Sequence, residues 1–410
     1  MASAPPSAAP AHKPRLIALV TLCVSLSAAS TDIFLPSMPS IAADLEATAA
    51  DTQLILSGYI YAYALSMLVY GPLSDRFGRR PVLLGALALY VVVTIGCAFA
   101  TSIGMLIGLR LVQAFCICAA PVAGRAVIRD THEVRDAARA MAYVATAFSL
   151  TPICAPMVGG MIEAWIGWRG NFFFIAAAGA AVALAMLAWL PETNLRRDRH
   201  AFRPRQILRN YAHLLNTPSY VGYALSAAFS FGAIFAYISG SSFVFIELMG
   251  LTPEVFGPVF GISAIGFGTG SFLTTRLTPR WGVNGTILRG AVVVVAGGLA
   301  TNALLLAGVF HWAAIVGPMM LISIGAGLVM PNIQAGALAP FPTMAGAASA
   351  MLGCTQMIGA STIGAIVGQT YDDTPYPMTL AMLFSGVALL VVFYATVWRR
   401  GDPAPAARHG

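Results

Sequence analysis

Long apolar runs separated by short polar segments dominate the amino-acid sequence. A helix needs about 20 apolar residues to cross the hydrocarbon core of a bilayer. Twelve runs reach about that length and end at charged, proline or turn residues. They lie at residues 16–37, 52–72, 81–100, 103–125, 138–161, 170–190, 219–246, 255–275, 285–309, 312–332, 343–368 and 378–397. This pattern predicts an all-α polytopic membrane protein with twelve transmembrane helices.

The composition supports this prediction. Hydrophobic residues make up 58% of the chain and charged residues only 10%, whereas an average soluble domain has about 25% charged residues. So few charges cannot cover a surface in water, keep a chain disordered or build a nucleic-acid-binding face. The six cysteines all lie in apolar runs, which argues against a disulfide scaffold. We therefore expect lipid as the surrounding solvent and no nucleic-acid partner.

Basic residues indicate which loops face the cytoplasm, because short cytoplasmic loops retain Lys and Arg. If the N-terminus is inside, the outer loops hold only Arg169. Arg125 and Arg289 fall at inner ends of predicted helices, which leaves Arg110 as the one cation deep in a span. The inner segments hold the other basic residues, at 13–15, 76–80, 129–139, 196–209, 276–280 and 399–408. This alternation predicts that both termini are cytoplasmic.

One long polar segment divides the predicted helices six and six. Residues 191–218 are expected to be a cytoplasmic linker between an N-terminal six-helix bundle at 15–190 and a C-terminal six-helix bundle at 219–398. Residues 1–14 lack an apolar run and a cleavage site, so we expect a short cytoplasmic tail there and not a signal peptide. Residues 399–410 are expected to form a second cytoplasmic tail.

A weak internal repeat relates the two halves. Residues 71–81 follow the second predicted helix and read Gly-Pro-Leu-Ser-Asp-Arg-Phe-Gly-Arg-Arg-Pro. Residues 271–281 follow the second helix of the other half and keep Leu273, Arg276 and Arg280 in register, but lose the aspartate and the glycines. Together with the six-and-six division, this favours two homologous bundles, as in transporters built from parallel repeats.

Several motifs carry a resemblance to a known family. Residues 71–81 resemble the loop signature of the major facilitator superfamily, and residues 106–114 resemble its fourth-helix drug-antiporter signature with alanine at 114 in place of the usual glycine. Residues 155–160 are similar to its antiporter signature with alanine in place of the leading glycine. Residues 31–39 and 167–169 look most like the drug/proton antiporters of the bicyclomycin and chloramphenicol resistance (Bcr/CflA) group.

The resemblance implies a multidrug exporter of the bacterial inner membrane that works as a monomer by alternating access and is driven by protons. The residues agree that ATP is not the energy source, because the only lysine, Lys13, follows no Gly-rich phosphate loop. His132 and Glu133 are not followed by the second histidine of a zinc motif, and no Gly-x-Ser-x-Gly occurs. We expect neither an enzyme, nor a metal site, nor a cofactor besides the proton gradient.

Asp32 and Arg110 are the candidates for proton coupling, because ionisable groups within a span are functional candidates by default. Asp32 lies roughly five residues, and Arg110 roughly seven, from the predicted outer ends of their helices. Loss of water raises the proton affinity of a carboxylate, and a nearby guanidinium lowers it. Substrate that changes either influence would compete with the proton. A structural alternative is that Asp32 caps a helix end near Pro36 and only pairs with Arg110.

The substrate cavity is expected near the midplane between the bundles. Tyr59 and Tyr63 are one helical turn apart on the second helix, and Gln113 is one turn from Arg110. Phe231 and Phe235 add aromatic surface on the seventh helix. Such a lining suits small, flat, lipophilic drug-like molecules. The alternative is that these aromatic side chains serve packing or interfacial anchoring.

The loop signature has expected roles of its own. Its candidate residues are Gly71, Asp75, Arg76, Gly78, Arg79 and Arg80. The arginines help to hold the loop inside. The resemblance implies in addition that Asp75, Arg76 and Arg80 form a charge network that stabilises the outward-open state, and that both glycines permit close backbone approach.

The fifth helix carries the remaining candidates, Pro152, Pro156, Gly159 and Gly160. They are expected to bend this helix and let it pack closely, and so to influence on which side of the membrane the transporter leaks. A simple kink also explains them. The same fold would allow proton-coupled uptake of a small metabolite, against which the antiporter-like fifth helix argues. A membrane receptor or scaffold is a third hypothesis, but the longest loop, of about 28 residues, is too short for a docking domain.

Overall fold

The computed structural model describes residues 13–194 and 204–400, and these residues are helical without any strand. The predicted tails at 1–14 and 399–410 lie almost wholly outside the described residues, as do residues 195–203 of the predicted linker. The α-helices are α1 (Lys13–Asp32), α2 (Met38–Asp44), α3 (Ala49–Phe77), α4 (Arg79–Ala98), α5 (Ile103–Ile117), α6 (Ala119–Thr131), α7 (Val134–Ile166), α8 (Trp168–Trp189), α9 (Pro204–Leu215), α10 (Pro218–Ser242), α11 (Pro253–Leu306), α12 (Trp312–Leu338), α13 (Ala345–Gln369) and α14 (Tyr376–Thr396).

The described helices confirm the predicted number of spans. Eleven helical stretches are long and apolar enough to cross a membrane. One of them, α11, has 54 residues and is broken at Gly282, where φ is +71°. Since 54 residues would extend about 80 Å as one helix, α11 contains two spans, which makes twelve. A π-helical turn at Phe243–Leu248 extends α10, and α5 and α6 together form one span, Ile103–Thr131.

The first span is longer than predicted and is interrupted at Asp32. Helix α1 ends at Asp32, a 3-10 turn follows at Leu35–Ser37, and α2 continues to Asp44. The interruption has a local cause, because the ring of Pro36 opposes the carbonyl group four residues earlier, which belongs to Asp32. The expectation that Asp32 lies five residues from the helix end was therefore wrong. It lies at the break inside the span.

The linker is not wholly a loop. Helix α9 occupies Pro204–Leu215 and turns the buried Leu214 towards the protein. The hydroxyl of Tyr211 donates a hydrogen bond to the carbonyl of Leu68 at 3.4 Å. Helix α9 therefore contacts α3 of the first bundle while it also packs on α13 of the second.

Ion pairs mark the two ends of the molecule. At one end, here called the Arg169 side, Arg169 Nη1 lies 2.6 Å from Asp44 Oδ2. At the other, the Arg79 side, Arg79 Nη2 lies 2.7 Å from Asp75 Oδ1. Helix α3 begins at the Arg169 side and ends at the Arg79 side.

The two bundles meet through hydrogen bonds and close backbone contact on the Arg169 side. Helix α3 packs against α13, and α7 packs against α11. The Ser242 hydroxyl donates to the Leu35 carbonyl at 2.6 Å, and the Ser361 hydroxyl donates to the Ser57 carbonyl at the same distance. These contacts hold the bundles together at this end.

Towards the Arg79 side α3 and α13 stay in contact, with Met67 beside Gly353, whereas α7 becomes exposed. Along residues 139–151 of α7, exposed side chains point around most of the helix circumference: Tyr143 is 58% exposed, and Thr146, Phe148 and Leu150 are also exposed. A bundle helix that touched lipid on one face only would be buried on the other. This part of α7 therefore borders lipid on one face and an open space between the bundles on another.

Candidate functional site

Arg110 lies at the centre of the first bundle and is fully buried. Its Nη1 donates hydrogen bonds to the Ser30 carbonyl at 2.9 Å and to Gln113 Oε1 at 2.5 Å. The guanidinium carbon lies 4.0 Å from the centroid of the Tyr59 ring and 4.2 Å from that of Phe34. Two aromatic rings and two oxygens thus replace the water that this cation would have in solution.

A closed set of hydrogen bonds fixes the partners of Arg110. Gln113 Nε2 donates to Thr94 Oγ1 at 2.7 Å, and Thr94 donates in turn to the Tyr90 carbonyl at 2.6 Å. The Tyr90 hydroxyl and Ser30 Oγ are 2.5 Å apart. These bonds join α1, α4 and α5. They also orient the Gln113 amide, with its oxygen towards the cation.

Asp32 belongs to the same cluster but forms no bond in it. Its side chain is 6% exposed and close enough to Arg110 for an electrostatic interaction. Among residues 13–194 and 204–400, however, no basic group lies within 4.0 Å of its carboxylate, and no hydrogen bond to it is formed. Nε and Nη2 of Arg110 likewise have no hydrogen-bond partner there. The alternative in which Asp32 is simply paired with Arg110 is not what the structure shows.

The structure separates the residues expected to line a cavity into two groups. Gln113 and Tyr59 are fully buried within the Arg110 cluster, so they position the cation and have no surface to offer in this conformation. Tyr63 is only partly buried, with its ring centroid 6.5 Å from that of Tyr59, and its hydroxyl accepts a hydrogen bond from Ser27 at 3.4 Å. Of Tyr59 and Tyr63, Tyr63 is thus the one that keeps some exposed surface.

The two phenylalanines of α10 differ in the same way. Phe235 is 1% exposed and packs against Gly364 of α13, where an added Cβ would lie 2.6 Å from the ring. It therefore serves helix packing. Phe231 is partly buried, with its centroid 6.3 Å from that of Phe235. Of the pair, only Phe231 has surface left for a ligand.

In this structure the charge network of the loop signature is centred on Arg79, whereas the network of Asp75, Arg76 and Arg80 was expected for the outward-open state. Arg79 is 5% exposed, pairs with Asp75 at 2.7 Å and with Asp130 at 3.2 Å, and donates to Ser74 Oγ at 2.6 Å. Because α4 begins at Arg79, this side chain points back across the junction to α3 and to the end of α6.

The other two arginines lie outside that network. Arg76 is exposed, with its guanidinium carbon 5.1 Å from the centroid of the Phe77 ring. Arg80 donates to the carbonyl of Leu187 on α8 at 2.9 Å. Asp75 precedes the break at Gly78 and Arg79 follows it, so the turn at this glycine brings the two side chains together, whereas Arg76 and Arg80 point elsewhere.

The predicted loop is almost entirely helical. Helix α3 continues to Phe77, and Gly78 alone separates it from α4, with φ at +103°. A residue with a Cβ rarely adopts that conformation, so Gly78 is needed for the turn. Gly71 lies within α3, and a Cβ added to it would meet no atom within 4 Å, so the expected close approach is absent there.

The repeat is shifted by one helical turn in the structure. Residues 71–81 match residues 271–281 at a spacing of 200, which would place the second chain break at Thr278. The break is instead at Gly282, four residues later. Thr278 lies in the helix and donates to Asn332 Oδ1 of α12 at 3.1 Å.

Two glycines let α7 approach neighbouring backbone. A Cβ on Gly159 would collide with the carbonyl oxygen of Ile33, and one on Gly160 with that of Pro253 in the second bundle. The carbonyl oxygen of Pro156 would lie 2.7 Å from a Cβ added to Gly257. The prolines at 152 and 156 both lie inside the helix. The close packing expected of this helix is present, and it reaches across the bundle interface.

Sequence reasoning missed several residues of these clusters, namely Ser30, Tyr90, Thr94, Asp130 and Glu192. Glu192 Oε1 accepts the backbone N–H of Arg79 at 2.9 Å. Asp130 was visible as an acid at the end of the fourth helix, but its partner lies 51 positions away.

Within the part of the chain that the structure describes, no three His, Cys, Asp or Glu side chains converge to hold a metal ion.

Comparisons with known proteins agree with this architecture. A model of the Major Facilitator Superfamily matches residues 20–364. The chain is 31% identical over 375 residues to a bicyclomycin resistance protein homolog of Haemophilus influenzae, covering 88% of this chain and 91% of the relative. It is 28% identical to a chloramphenicol resistance protein of Pseudomonas aeruginosa, covering 88% and 87%, and 26% identical to multidrug resistance protein D of Escherichia coli, covering 92% and 94%.

Solved structures share the fold. A bacterial homolog of the human lysosomal transporter Spinster superposes with a TM-score of 0.74 at 14% identity, covering 97% of this chain and all of that one. A D-xylose-proton symporter superposes with a TM-score of 0.71, also at 14% identity, covering 94% and 98%. At this identity the similarity concerns the arrangement of helices alone.

Proposed function

The chain belongs to the major facilitator superfamily, and from this premise we propose that it exports small lipophilic molecules across the bacterial inner membrane in exchange for protons. Its relatives are multi-pass membrane transporters and not enzymes. They include bicyclomycin, chloramphenicol and multidrug resistance proteins, as the resemblance to the Bcr/CflA group predicted. No cofactor besides the proton gradient is needed for this activity.

The unpaired acid of the first bundle carries the proposal. Asp32 is nearly enclosed and lies beside a buried cation, yet no hydrogen bond or ion pair among the described residues occupies its carboxylate. A carboxylate locked in a salt bridge would stay charged through the transport cycle. One that is held near a guanidinium without contacting it can gain or lose a proton when its surroundings change.

Coupling follows if substrate and proton influence each other at this acid. A substrate that displaces water from the cavity, or shifts Arg110 relative to Asp32, changes the proton affinity of the carboxylate, and by linkage the proton changes the affinity for substrate. One proton that moves inward through about 100 mV supplies roughly 2.3 kcal/mol. This supports an outward concentration gradient of about 40-fold.

The open side of the structure indicates where substrate would enter. Basic residues concentrate at the ends and loops of the Arg79 side, which the positive-inside rule assigns to the cytoplasm. On that assignment, the open space beside α7 makes this an inward-open state, and the contacts on the Arg169 side close the outer gate. Tyr63 and Phe231 then offer aromatic surface to a lipophilic molecule that enters from the cytoplasm.

Replacement of Asp32 tests the proposal. In proteoliposomes with an imposed pH gradient, Asp32→Asn should lose gradient-driven transport of chloramphenicol or bicyclomycin, because the amide cannot exchange a proton. Drug binding should be retained within about threefold. Asp51→Asn is the matched control, since Asp51 is an acid at the start of α3 whose carboxylate accepts a hydrogen bond from Thr48. Gradient-driven transport that survives in Asp32→Asn would falsify the coupling role of this acid.

A further inference from the structure

The fourth span carries a second arginine that the proton-coupling cluster does not use. Arg125 is exposed, although its neighbours Gly124, Ala126 and Val127 on α6 are buried. Among residues 13–194 and 204–400, it forms no ion pair and no hydrogen bond. An exposed guanidinium in a span must face either lipid or water, and its depth and direction decide between them.

The depth of Arg125 places it within the hydrocarbon region. The span runs from Ile103 to Thr131, so its midpoint is residue 117. Arg125 lies eight residues beyond that point, which is about 12 Å at 1.5 Å per residue. Half of the hydrocarbon core is about 15 Å. The prediction that Arg125 lies at an inner helix end placed it too close to the membrane surface, because α6 continues to Thr131.

The direction of the side chain points towards the cavity. Side chains of a helix lean towards its N-terminus, and for α6 that is towards the middle of the membrane. Arg125 lies near Tyr63 of α3, and it follows Cys118 of its own span by seven residues, which puts both side chains on one face of the span. Cys118 is buried and lies near Cys354 of α13, in the second bundle. Arg125 therefore borders the gap between the bundles.

We infer that Arg125 binds the anionic group of aromatic substrates in the inward-open cavity. The planar guanidinium can hold a carboxylate through two parallel hydrogen bonds, and the half-buried ring of Tyr63 lies beside it for the aromatic part of the molecule. The substrate class is lipophilic aromatic acids, in addition to neutral drugs. This inference rests on the proposed export function and adds a determinant of specificity to it.

Binding of a matched pair of probes tests this inference. The probes are 4-(1-pyrenyl)butanoate and the corresponding amide, which differ in charge and share the ring. Energy transfer from the six tryptophans to pyrene would report binding to the purified protein in lipid nanodiscs, with no proton gradient. Wild type should bind the acid about tenfold more tightly than the amide. Arg125→Gln should remove that preference and leave amide binding within about twofold.

Two further variants separate direct binding from general attraction. Arg125→Lys should keep part of the preference, since it keeps the charge but loses the planar pair of donors. Arg129→Gln removes the same charge one turn along the helix, where the side chain is 70% exposed, and should leave the preference unchanged. An equal loss in Arg129→Gln would assign the effect to general attraction and overturn the inference, as would an unchanged preference in Arg125→Gln or no preference in wild type.

The readout is independent of proton coupling. If Asp32→Asn still transports drug while Arg125→Gln loses the preference for the acid, the antiport mechanism fails and the binding role of Arg125 stands. If coupling requires Asp32 but the acid and the amide bind equally, the export proposal stands and the role of Arg125 is lost.

Discussion

At the Arg79 side, both bundles break their chains at a glycine, Gly78 between α3 and α4 and Gly282 within α11. The first junction is ionic, because Arg79 pairs with Asp75 and Asp130. At the second, Thr278 donates to Asn332 at 3.1 Å, and Arg289 lies over the ring of Trp281 without an ion pair among the described residues. The glycine break is common to both junctions and is therefore a requirement of the fold. The ion pairs of Arg79 distinguish the first junction from the second.

The same contrast recurs in the centre of the bundles. In the first bundle the buried cation Arg110 is held among α1, α3 and α5. In the second bundle a neutral pair joins α11 to α14, with Asn302 Nδ2 donating to the Thr379 carbonyl at 3.1 Å and the Thr379 hydroxyl donating to Asn302 Oδ1 at 3.0 Å. Neutral hydrogen bonds suffice to hold helices together. Charge is therefore not required to join helices, which accords with the proposed role of Arg110 in proton coupling.

Arg110→Lys should have the largest effect on transport. An ammonium group cannot lie flat between the rings of Tyr59 and Phe34 while it also reaches Ser30 and Gln113, so gradient-driven transport should fall by at least about tenfold. Asn302→Leu in the second bundle is the contrasting variant. It should lower the unfolding free energy by about 1–3 kcal/mol and leave the transport rate of the folded protein near that of wild type. Transport assays in proteoliposomes and thermal melts measure the two effects.

If the charged and the neutral clusters were both purely structural, the two variants would lose stability and activity in proportion. Such a parallel loss is the outcome that contradicts the functional contrast between the bundles.

Arg79→Gln should have the next largest effect. It leaves the acids Asp75 and Asp130 facing each other without a cation, which costs about 3–5 kcal/mol in buried surroundings and less here because both acids are partly exposed. The α3–α4 junction should loosen, and the transport rate should fall several-fold. Thr278→Val removes the corresponding neutral bond and should change the rate by less than about twofold.

Initial rates of drug transport, corrected for the amount of folded protein, compare the two junctions. Equal effects of Arg79→Gln and Thr278→Val would show that the ionic junction has no role beyond that of the neutral one.

The glycines should give the smallest effects, and these should follow backbone geometry alone. Gly78→Ala and Gly282→Ala force a Cβ into positive φ, +103° and +71°, and should each destabilise by about 1–3 kcal/mol. Gly71→Ala lies in α3 with free space around the new methyl group. It should be neutral or stabilise by up to about 1 kcal/mol. Melting temperatures of the three variants measure these effects. A Gly71→Ala variant that is destabilised as much as the other two would contradict the prediction.

The sequence alone predicted the features that depend on local pattern. The twelve spans follow from the length of the apolar runs. The depth of Arg110 follows from counting along one helix, because this residue lies seven positions after Ile103, where its span begins. The end of α1 at Asp32 was also readable, since Pro36 stands four residues later. It was missed because the span was treated as uniform. The pair of Asp75 and Arg79 depends on the turn at Gly78, across which helical spacing does not apply.

Other features depended on contacts between segments that are distant in the chain. No spacing within one helix shows that Gln113 is held by Thr94, that Asp130 reaches Arg79, or that Arg125 faces the gap between the bundles. Nor does any motif show that the closed Arg169 side depends on the approach of Gly160 to Pro253. Hydrophobicity and charge along the chain determine which segments enter the membrane and how many there are, because each span needs about 20 apolar residues of its own to cross the hydrocarbon core. The environment of each buried polar group was decided only by tertiary packing, because its partners are brought together from different helices.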